Sequence, residues 1–159
     1  MTGSPAVLRY EGAFTLPRPP DEVWSVLQSL DCFESWWSWL TEFRVEGPGL
    51  RTGSVLSGTV VPPLPYRLRV RLHLLECEPP RYIDAAVHGD LEGRARLRLE
   101  RDGTGSRASV SSDIEVVQPP LRLAARLAPG LLRWGHERVV EATVRSFRAH
   151  LGPPPEPEL

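Results

Sequence analysis

One histidine lies at the centre of an apolar helical stripe near the end of the chain. At about 100° per residue, the residues that share a side with His136 are Leu132, Val139, Val140, Thr143, Phe147 and Leu151. An imidazole has a pKa near neutrality, so it could hydrogen-bond a ligand carbonyl or act as a general acid or base. The alternative is a core histidine with one internal partner. His136 is therefore the best catalytic candidate, and ligand contact is favoured over catalysis.

Aromatic residues form a second group of candidates. Trp36, Trp37 and Trp39 fall within four positions, where their rings could line a pocket or touch a membrane interface while their N–H groups meet water. Alternatively they plug the end of a curved sheet, and we favour this interpretation for Trp37. Trp36 and Trp39 remain cavity candidates. Tyr66 follows the proline-rich run 62–65 and could point its hydroxyl into a cavity mouth, although a structural role is the alternative.

Several kinds of chemistry find no support in the residues. The four histidines and two cysteines lack the spacing of metal ligands, and Gly103-Thr104-Gly105 is typical of a hairpin turn rather than of a phosphate loop. No Ser-His-Asp arrangement can be supported from the sequence. A net charge of -1 is unlike the basicity that nucleic-acid binding requires. We therefore expect no metal, no cofactor and no nucleic-acid partner.

All 19 basic residues are arginines, and many alternate with apolar residues along predicted strands. Such a row could bind anions, but acidic residues share the same outward face. We therefore predict cross-strand ion pairs on a solvated surface. The arginines are Arg67, Arg69, Arg71, Arg94, Arg96 and Arg98, and the acidic residues are Asp84, Glu92, Glu100, Asp113 and Glu115.

The helix that carries His136 has a predicted break. Leu123, Leu127 and Leu131 lie four apart, but their stripe is about half a turn from that of His136, so one straight helix could not bury both. The intervening Pro129-Gly130 predicts a short helix at about 121–128, a kink at Pro129 and a long helix after it. Trp134 falls on the polar side of the long helix. It either packs on the short helix or forms a dimer contact.

Upstream, the periodicity predicts a strand at about 6–16, two short helices, and six more strands in hairpin succession. One face of these strands is apolar and the other is charged, which indicates a curved antiparallel sheet with one solvated side. The long helix is the only element left to cover the apolar side. Gly93, Ala95 and Ala85 are small inward positions, and small residues beneath a long helix indicate a hollow interior. The fold class is thus α+β, with seven strands wrapped around a C-terminal helix.

A chain of 159 residues, 41% hydrophobic, suits one domain, which we place at residues 6–151. Residues 1–5 are expected to be a flexible N-terminus, and the proline-rich 152–159 a disordered tail. Met1–Pro5 lack the features of a signal peptide, and no apolar run approaches the ~20 residues of a membrane span. We expect a cytoplasmic protein without stable membrane insertion, present as a monomer or weak dimer.

Five short motifs resemble one known superfamily. They are Pro20-Asp-Glu-Val-Trp24, Trp36-Trp-Ser-Trp-Leu40, Pro62-Pro-Leu-Pro-Tyr66, Gly89-Asp-Leu-Glu-Gly93 and Arg133-Trp-Gly-His-Glu137. Together with the order of elements, they resemble the START/Bet v 1-like (SRPBCC) superfamily, and within it the bacterial polyketide cyclase/dehydrase-like branch. The resemblance spans residues 6–151. It implies a helix-grip fold around an elongated cavity for an apolar ligand.

Three functions follow as hypotheses. The first is binding or transport of a hydrophobic small molecule, such as a lipid, isoprenoid or polyketide-like compound, between the sheet and the last helix. The second is a polyketide aromatase/cyclase acting on a poly-β-ketone, but we can assign no inward carboxylate or arginine, so the apolar lining favours binding. The third is protein interaction through the Trp-rich end. The expected ligand-binding residues are His136, Leu132, Val140, Thr143, Phe147, Tyr66, Trp36, Trp39, Ala95, Leu97, Val110 and Ser112.

Overall fold

The computed structural model describes residues 7–152, which contain seven strands and four α-helices. The expectations for residues 1–5 and for the tail beyond Gly152 lie outside the described residues. A 3₁₀ turn at Leu30–Cys32 precedes the second helix. The elements are β1 (Val7–Leu16), α1 (Pro20–Leu27), α2 (Phe33–Trp36), β2 (Leu40–Glu46), β3 (Val55–Val60), β4 (Leu68–Glu78), β5 (Tyr82–Gly89), β6 (Leu91–Asp102), β7 (Gly105–Val116), α3 (Pro119–Leu127) and α4 (Pro129–Leu151).

The strands form one antiparallel sheet in the order β1-β7-β6-β5-β4-β3-β2. Alternating apolar and polar residues give the sheet one face for the core and one for solvent, because successive side chains in a strand point to opposite faces. Helix α4 lies against the apolar face, and Trp37 donates its indole N–H to the Thr143 carbonyl of α4 at 3.2 Å. The predicted fold class, a helix-grip arrangement with two short helices after the first strand, is confirmed.

The break between α3 and α4 is also confirmed. The helical hydrogen bonds stop at Ala128, whose φ of -142° and ψ of 67° are not helical, and a new helix begins at Pro129. Proline suits the first position of a helix because its missing N–H would have no intrahelical partner there. The proline therefore starts α4 rather than kinking a continuous helix.

The hairpin between β5 and β6 is tighter than the predicted 89–93 connection. Strand β6 already begins at Leu91, and Gly93 pairs with Val87 inside the ladder. Gly93 has a φ of 155°, and a Cβ there would collide with the Asp113 carbonyl oxygen of the next strand. Close approach of two backbones, and not a need for interior space, accounts for this glycine.

Ion pairs cross the strands on the solvated face, but of the six arginines predicted to form them only Arg94 and Arg96 do so among the described residues. Asp84 is buried among them and accepts two hydrogen bonds from Arg94, at 2.8 and 2.7 Å. Arg96 lies 3.6 Å from the same carboxylate, and Arg9 pairs with Asp113 at 3.2 Å. The Arg94 hydrogen bond holds the pKa of Asp84 below its ordinary value of 3.8.

The buried apolar residues form two separate clusters. The larger one packs α1, α2 and the C-terminal end of α4 against the sheet, and it includes Trp24, Phe33, Trp37, Leu99, Phe147 and Leu151. The smaller one packs α3 and the start of α4 against β4 and β7, and it consists of Leu68, Val116, Leu121, Ala125 and Leu132. The core is therefore divided along α4, and the middle of the helix belongs to neither cluster.

Candidate functional site

The strand register places small side chains beside one another on the apolar face. Tyr10 of β1 pairs with Ser112 of β7, Ser112 pairs with Ala95 of β6, and Ala95 pairs with Ala85 of β5. Residues directly opposite one another in an antiparallel ladder share a face. This row, Tyr10–Ser112–Ala95–Ala85, therefore crosses the apolar face with three small side chains in succession.

A neighbouring row continues the same surface. Gly12 pairs with Val110, and Val110 pairs with Leu97. Ala95, Val110 and Ser112 on the apolar face each keep part of their surface accessible, and so does Leu97, which packs against the larger cluster. Side chains in a close-packed core would be covered at these positions. We infer that the middle of the sheet is not closely packed against α4, and we call this region the central chamber.

His136 faces this chamber from α4. Its imidazole meets the ring of Tyr10 edge to face, with centroids 5.1 Å apart and planes at 62°. A Cβ on Gly12 would collide with the hydroxyl of Tyr10, so the absence of a side chain at Gly12 leaves room for that ring. Alternation along β1 places Tyr10 on the inward face, but no pattern in the sequence indicates that it meets a residue 126 positions away.

A second phenol approaches α4 beside His136. The hydroxyl oxygen of Tyr66 lies 3.3 Å from the position that a Cβ on Gly135 would occupy. Leu64 comes closer still, with Cδ1 2.6 Å from the same position. Gly135 thus lets the segment before β4 pack directly on the helix backbone, and Tyr66 lies next to the smaller core cluster.

Burial keeps these polar groups uncharged near neutral pH. It lowers the pKa of His136 below 6.5, although the carboxylate of Glu137 acts in the opposite direction. It raises the pKa of Tyr10 above 10.0, with a smaller contribution from Glu137, and it raises the pKa of Tyr66 as well. The region around His136 therefore holds one neutral imidazole and two protonated phenols, groups that suit the oxygens of a neutral molecule better than an anion.

Thr143 has a more restricted role than its side-chain type suggests. Its hydroxyl donates to the Val139 carbonyl oxygen of the preceding turn at 2.7 Å, so its proton is used within α4 and its oxygen can only accept a further hydrogen bond. Val140, one turn from His136, keeps part of its surface accessible and lies in neither core cluster.

Three predicted lining residues lie in the packed clusters at the ends instead. Leu132 is buried in the smaller cluster, and Phe147 is buried in the larger one. Trp36 packs on Phe147 with ring centroids 6.3 Å apart. These side chains close the two ends of the chamber because large apolar groups at the ends of α4 meet the short helices.

The other indoles of the Trp-rich segment pack on one another. Trp37 is buried and stacks on Trp39, with centroids 5.6 Å apart and planes at 17°. Trp39 also borders a groove of about 320 Å³ that runs along α4 beside Pro62 and Arg138. Its indole N–H is buried and has no acceptor among residues 7–152.

The solvated face of the sheet carries a wider depression of about 580 Å³, lined by charged and polar residues such as Glu11, Arg96 and Arg98. It lies on the side opposite α4, and Arg96 already has Asp84 as a partner. Within the described chain no cluster of histidine, cysteine and carboxylate side chains could hold a metal ion. None of the described helices is both long and apolar enough to cross a membrane.

Comparisons place this geometry among known proteins. TTHA0849 from Thermus thermophilus superposes with a TM-score of 0.74 and 15% identity, over 91% of this chain and 97% of that one. The ZhuI aromatase/cyclase from a Streptomyces species gives a TM-score of 0.69 and 16% identity, over 91% and 93%. The di-domain aromatase/cyclase StfQ from the steffimycin biosynthetic pathway gives 0.69 and 13%, over 90% of this chain and 50% of that one.

At these identities the structural likeness shows a shared fold. Comparison with curated protein sequences finds no match. Residues 8–152 match the family described as polyketide cyclase/dehydrase and lipid transport. Since that match covers nearly the whole described chain, the protein belongs to the polyketide cyclase/dehydrase and lipid transport family.

Proposed function

We propose that the protein binds a hydrophobic small molecule in the central chamber, as a carrier or binding protein. The observation that carries this proposal is the division of the core. Two packed clusters lie at the ends, and between them Ala95 and Ser112, two small side chains paired on the apolar face, keep part of their surface accessible. Ligand sites are mostly apolar cavities with a few polar groups that fix orientation, and the chamber has that composition.

The polar groups favour a ligand with a carbonyl or hydroxyl group at one end. His136 and Tyr10 stand together at the centre of the chamber, and neither ring takes part in a hydrogen bond within the described chain. A neutral imidazole and a phenol can each donate one hydrogen bond. An apolar body would then lie over Ala95, Leu97 and Val110, with its oxygen toward α4.

Native mass spectrometry of protein purified from its own host tests this proposal. The wild-type protein is expected to carry a hydrophobic adduct. Ala95→Leu fills the floor of the chamber and should remove the adduct, whereas Ala13→Leu, on the solvated face of β1, should retain it. If Ala95→Leu carried the same adduct at the same occupancy, the ligand would lie elsewhere.

A second candidate is a cyclase or dehydratase that acts on a poly-β-ketone, and the pairing of His136 with Tyr10 favours it. In the dehydration step the neutral imidazole would remove an α-proton while the carbon–oxygen bond of a β-hydroxyl breaks. The departing hydroxyl would take the phenol proton of Tyr10 and leave as water, and the imidazolium would return its proton to the phenolate. The aromatase/cyclase neighbour supports this candidate only through the shared fold.

The two candidates differ in what His136 does. For a carrier, His136→Gln keeps hydrogen-bonding capacity and should retain ligand within about ten-fold of the wild-type affinity. For a dehydratase, the same variant should bind a β-hydroxyketone but lose about 10²–10⁴-fold in turnover, because glutamine cannot act as a base. Product formation from a poly-β-ketone analogue, measured by liquid chromatography, separates the two. The interaction role of the Trp-rich end has less support, since Trp36, Trp37 and Trp39 pack internally.

A further inference from the structure

The junction of α3 and α4 exposes large apolar side chains that the chamber does not use. The exposed fractions are 58% for Leu123, 78% for Leu127, 51% for Leu131 and 43% for Trp134. All four lie within twelve consecutive residues. Every residue from 126 to 131 is exposed, so the junction projects from the surface as a bend, which we call the elbow (residues 123–134).

The two helices aim these side chains outward in a regular way. In α3, Leu121 and Ala125 are buried, and Leu123 and Leu127 lie one turn apart on the exposed side. In α4, Leu132 and Gly135 are buried, whereas Leu131 and Trp134 point away. This is the leucine stripe whose phase differed from that of His136. The fold buries the other side of each helix and leaves the stripe without a partner.

The charges along the elbow have a single sign. Arg126 and Arg133 lie within it, Arg122 immediately precedes it, and no acidic residue occurs between Glu115 and Glu137. No ion pair joins these three arginines to another described residue. Elsewhere among the described residues, Arg9, Arg94, Arg96 and Arg138 form ion pairs with carboxylates. An exposed apolar ridge whose own segment carries arginines and no carboxylate matches the surface of a membrane that contains anionic lipids.

We propose that the elbow is a peripheral docking site for anionic lipid membranes, with Leu127 and Leu131 entering the headgroup boundary and the arginines binding phosphates. Trp134 fits an interfacial position, because indoles concentrate at the headgroup level, and the Arg138 guanidinium lies 5.6 Å from its ring centroid. A second copy of the chain is a poorer occupant. A two-fold interface on this face would set the arginines of one copy against those of the other.

Docking goes beyond ligand binding in the chamber and does not require it, so it can be tested without a known ligand. Co-sedimentation of the full chain with vesicles of phosphatidylcholine and phosphatidylglycerol measures it directly. We expect binding to the mixed vesicles, and weak binding to phosphatidylcholine alone. Added salt should lower the binding, because it screens the arginine–phosphate attraction.

Two double variants separate the apolar and charged contributions. Leu127→Gln with Leu131→Gln should lower vesicle partitioning at least about ten-fold. Arg122→Gln with Arg126→Gln should lower it about twenty-five-fold, at about five-fold for each arginine. The matched controls, Leu75→Gln on β4 and Arg107→Gln on β7, replace exposed residues of the same types and should bind as the wild type does.

Three outcomes would overturn docking at the elbow. One is a wild-type protein that stays in the supernatant with mixed vesicles. Another is undiminished binding by the Leu127→Gln, Leu131→Gln variant. The third is a wild-type dimer in analytical ultracentrifugation that this variant converts to monomer while vesicles have no effect, because the elbow would then pair with a second copy.

Discussion

Replacing Ala95 with leucine tests whether the chamber is open, because the sign of the stability change depends on what the new side chain meets. Ala95 keeps part of its surface accessible, whereas its cross-strand partner Ala85 is only 3% exposed. Both are alanines on the same face of adjacent strands. Ala85→Leu is therefore a matched control in which the same three carbons enter a packed cluster.

The two variants are expected to change the free energy of unfolding in opposite directions. Three carbons that enter an apolar space gain about 0.8 kcal/mol each, and immobilising the leucine costs about 0.5–1 kcal/mol. Ala95→Leu should therefore raise the free energy of unfolding by about 1.5 kcal/mol, which for a domain of this size raises Tm by about 3–6 °C. Ala85→Leu should lower the free energy by about 1–3 kcal/mol, because it overpacks the core.

Thermal unfolding followed by circular dichroism, with urea titration as a second measure, gives both values. The two variants should move Tm in opposite directions from the wild type. If Ala95→Leu destabilised the protein as much as Ala85→Leu, the interior at Ala95 would be as tightly packed as at Ala85. The chamber, and the ligand-binding proposal with it, would then be refuted.

Three further variants test the groups around the chamber. Burial lowers the pKa of His136 below 6.5, so the unfolded state binds the proton more tightly than the folded state. The free energy of unfolding, measured by urea titration at each pH, should therefore fall as pH drops below about 6.5. It should fall less in His136→Gln. Asp84→Asn removes the charged acceptor of half-exposed Arg94 and should lower the free energy of unfolding by about 1–3 kcal/mol at neutral pH. Because the pKa of Asp84 is lowered, the stability difference from wild type should shrink as pH falls through that pKa. A difference that stayed constant with pH would contradict this role of the Asp84 charge. Gly12→Ala displaces the ring of Tyr10 and should weaken ligand binding several-fold with little change in Tm, whereas unchanged affinity in a fluorescence displacement assay would remove Tyr10 from the site.

Much of the fold could be predicted because it depends on local patterns. Alternation in the strands fixed which side chains face inward, and the phase shift between Leu131 and His136 located the break near Pro129. Such patterns indicate which face of its own helix or strand a residue lies on. They indicate less accurately where a helix or strand ends, which is why the connection between β5 and β6 was predicted too long.

The chamber itself could be predicted only in part. Ala95 and Ser112 were both expected to face inward, but that they stand side by side depends on the cross-strand register, which alternation does not determine. For the same reason Tyr10 was missed as a partner of His136. The only local signal was the glycine two residues later, on the same face of β1. Gly93 looked like a space-making residue, and only the neighbouring backbone shows why it must be glycine.

Burial at the ends of α4 was the other feature beyond the reach of the sequence. Leu132 and Phe147 share the stripe of His136, so periodicity gave all three the same environment. The difference between them arises from the short helices, which belong to the clusters around Leu132 and Phe147 at the ends of α4 but not to the surroundings of His136. Periodicity cannot predict which part of an apolar stripe a distant helix will bury, because this burial depends on tertiary packing.

Xenon binding followed by NMR of alanine methyl groups tests the open chamber most directly, because xenon enters apolar cavities without any knowledge of the natural ligand. The methyl resonance of Ala95 should shift progressively with xenon pressure, while those of Ala85, in the packed cluster, and Ala13, on the solvated face, should stay nearly constant. Equal and small shifts at all three methyl groups would mean that no cavity lies beneath α4, and would contradict the account.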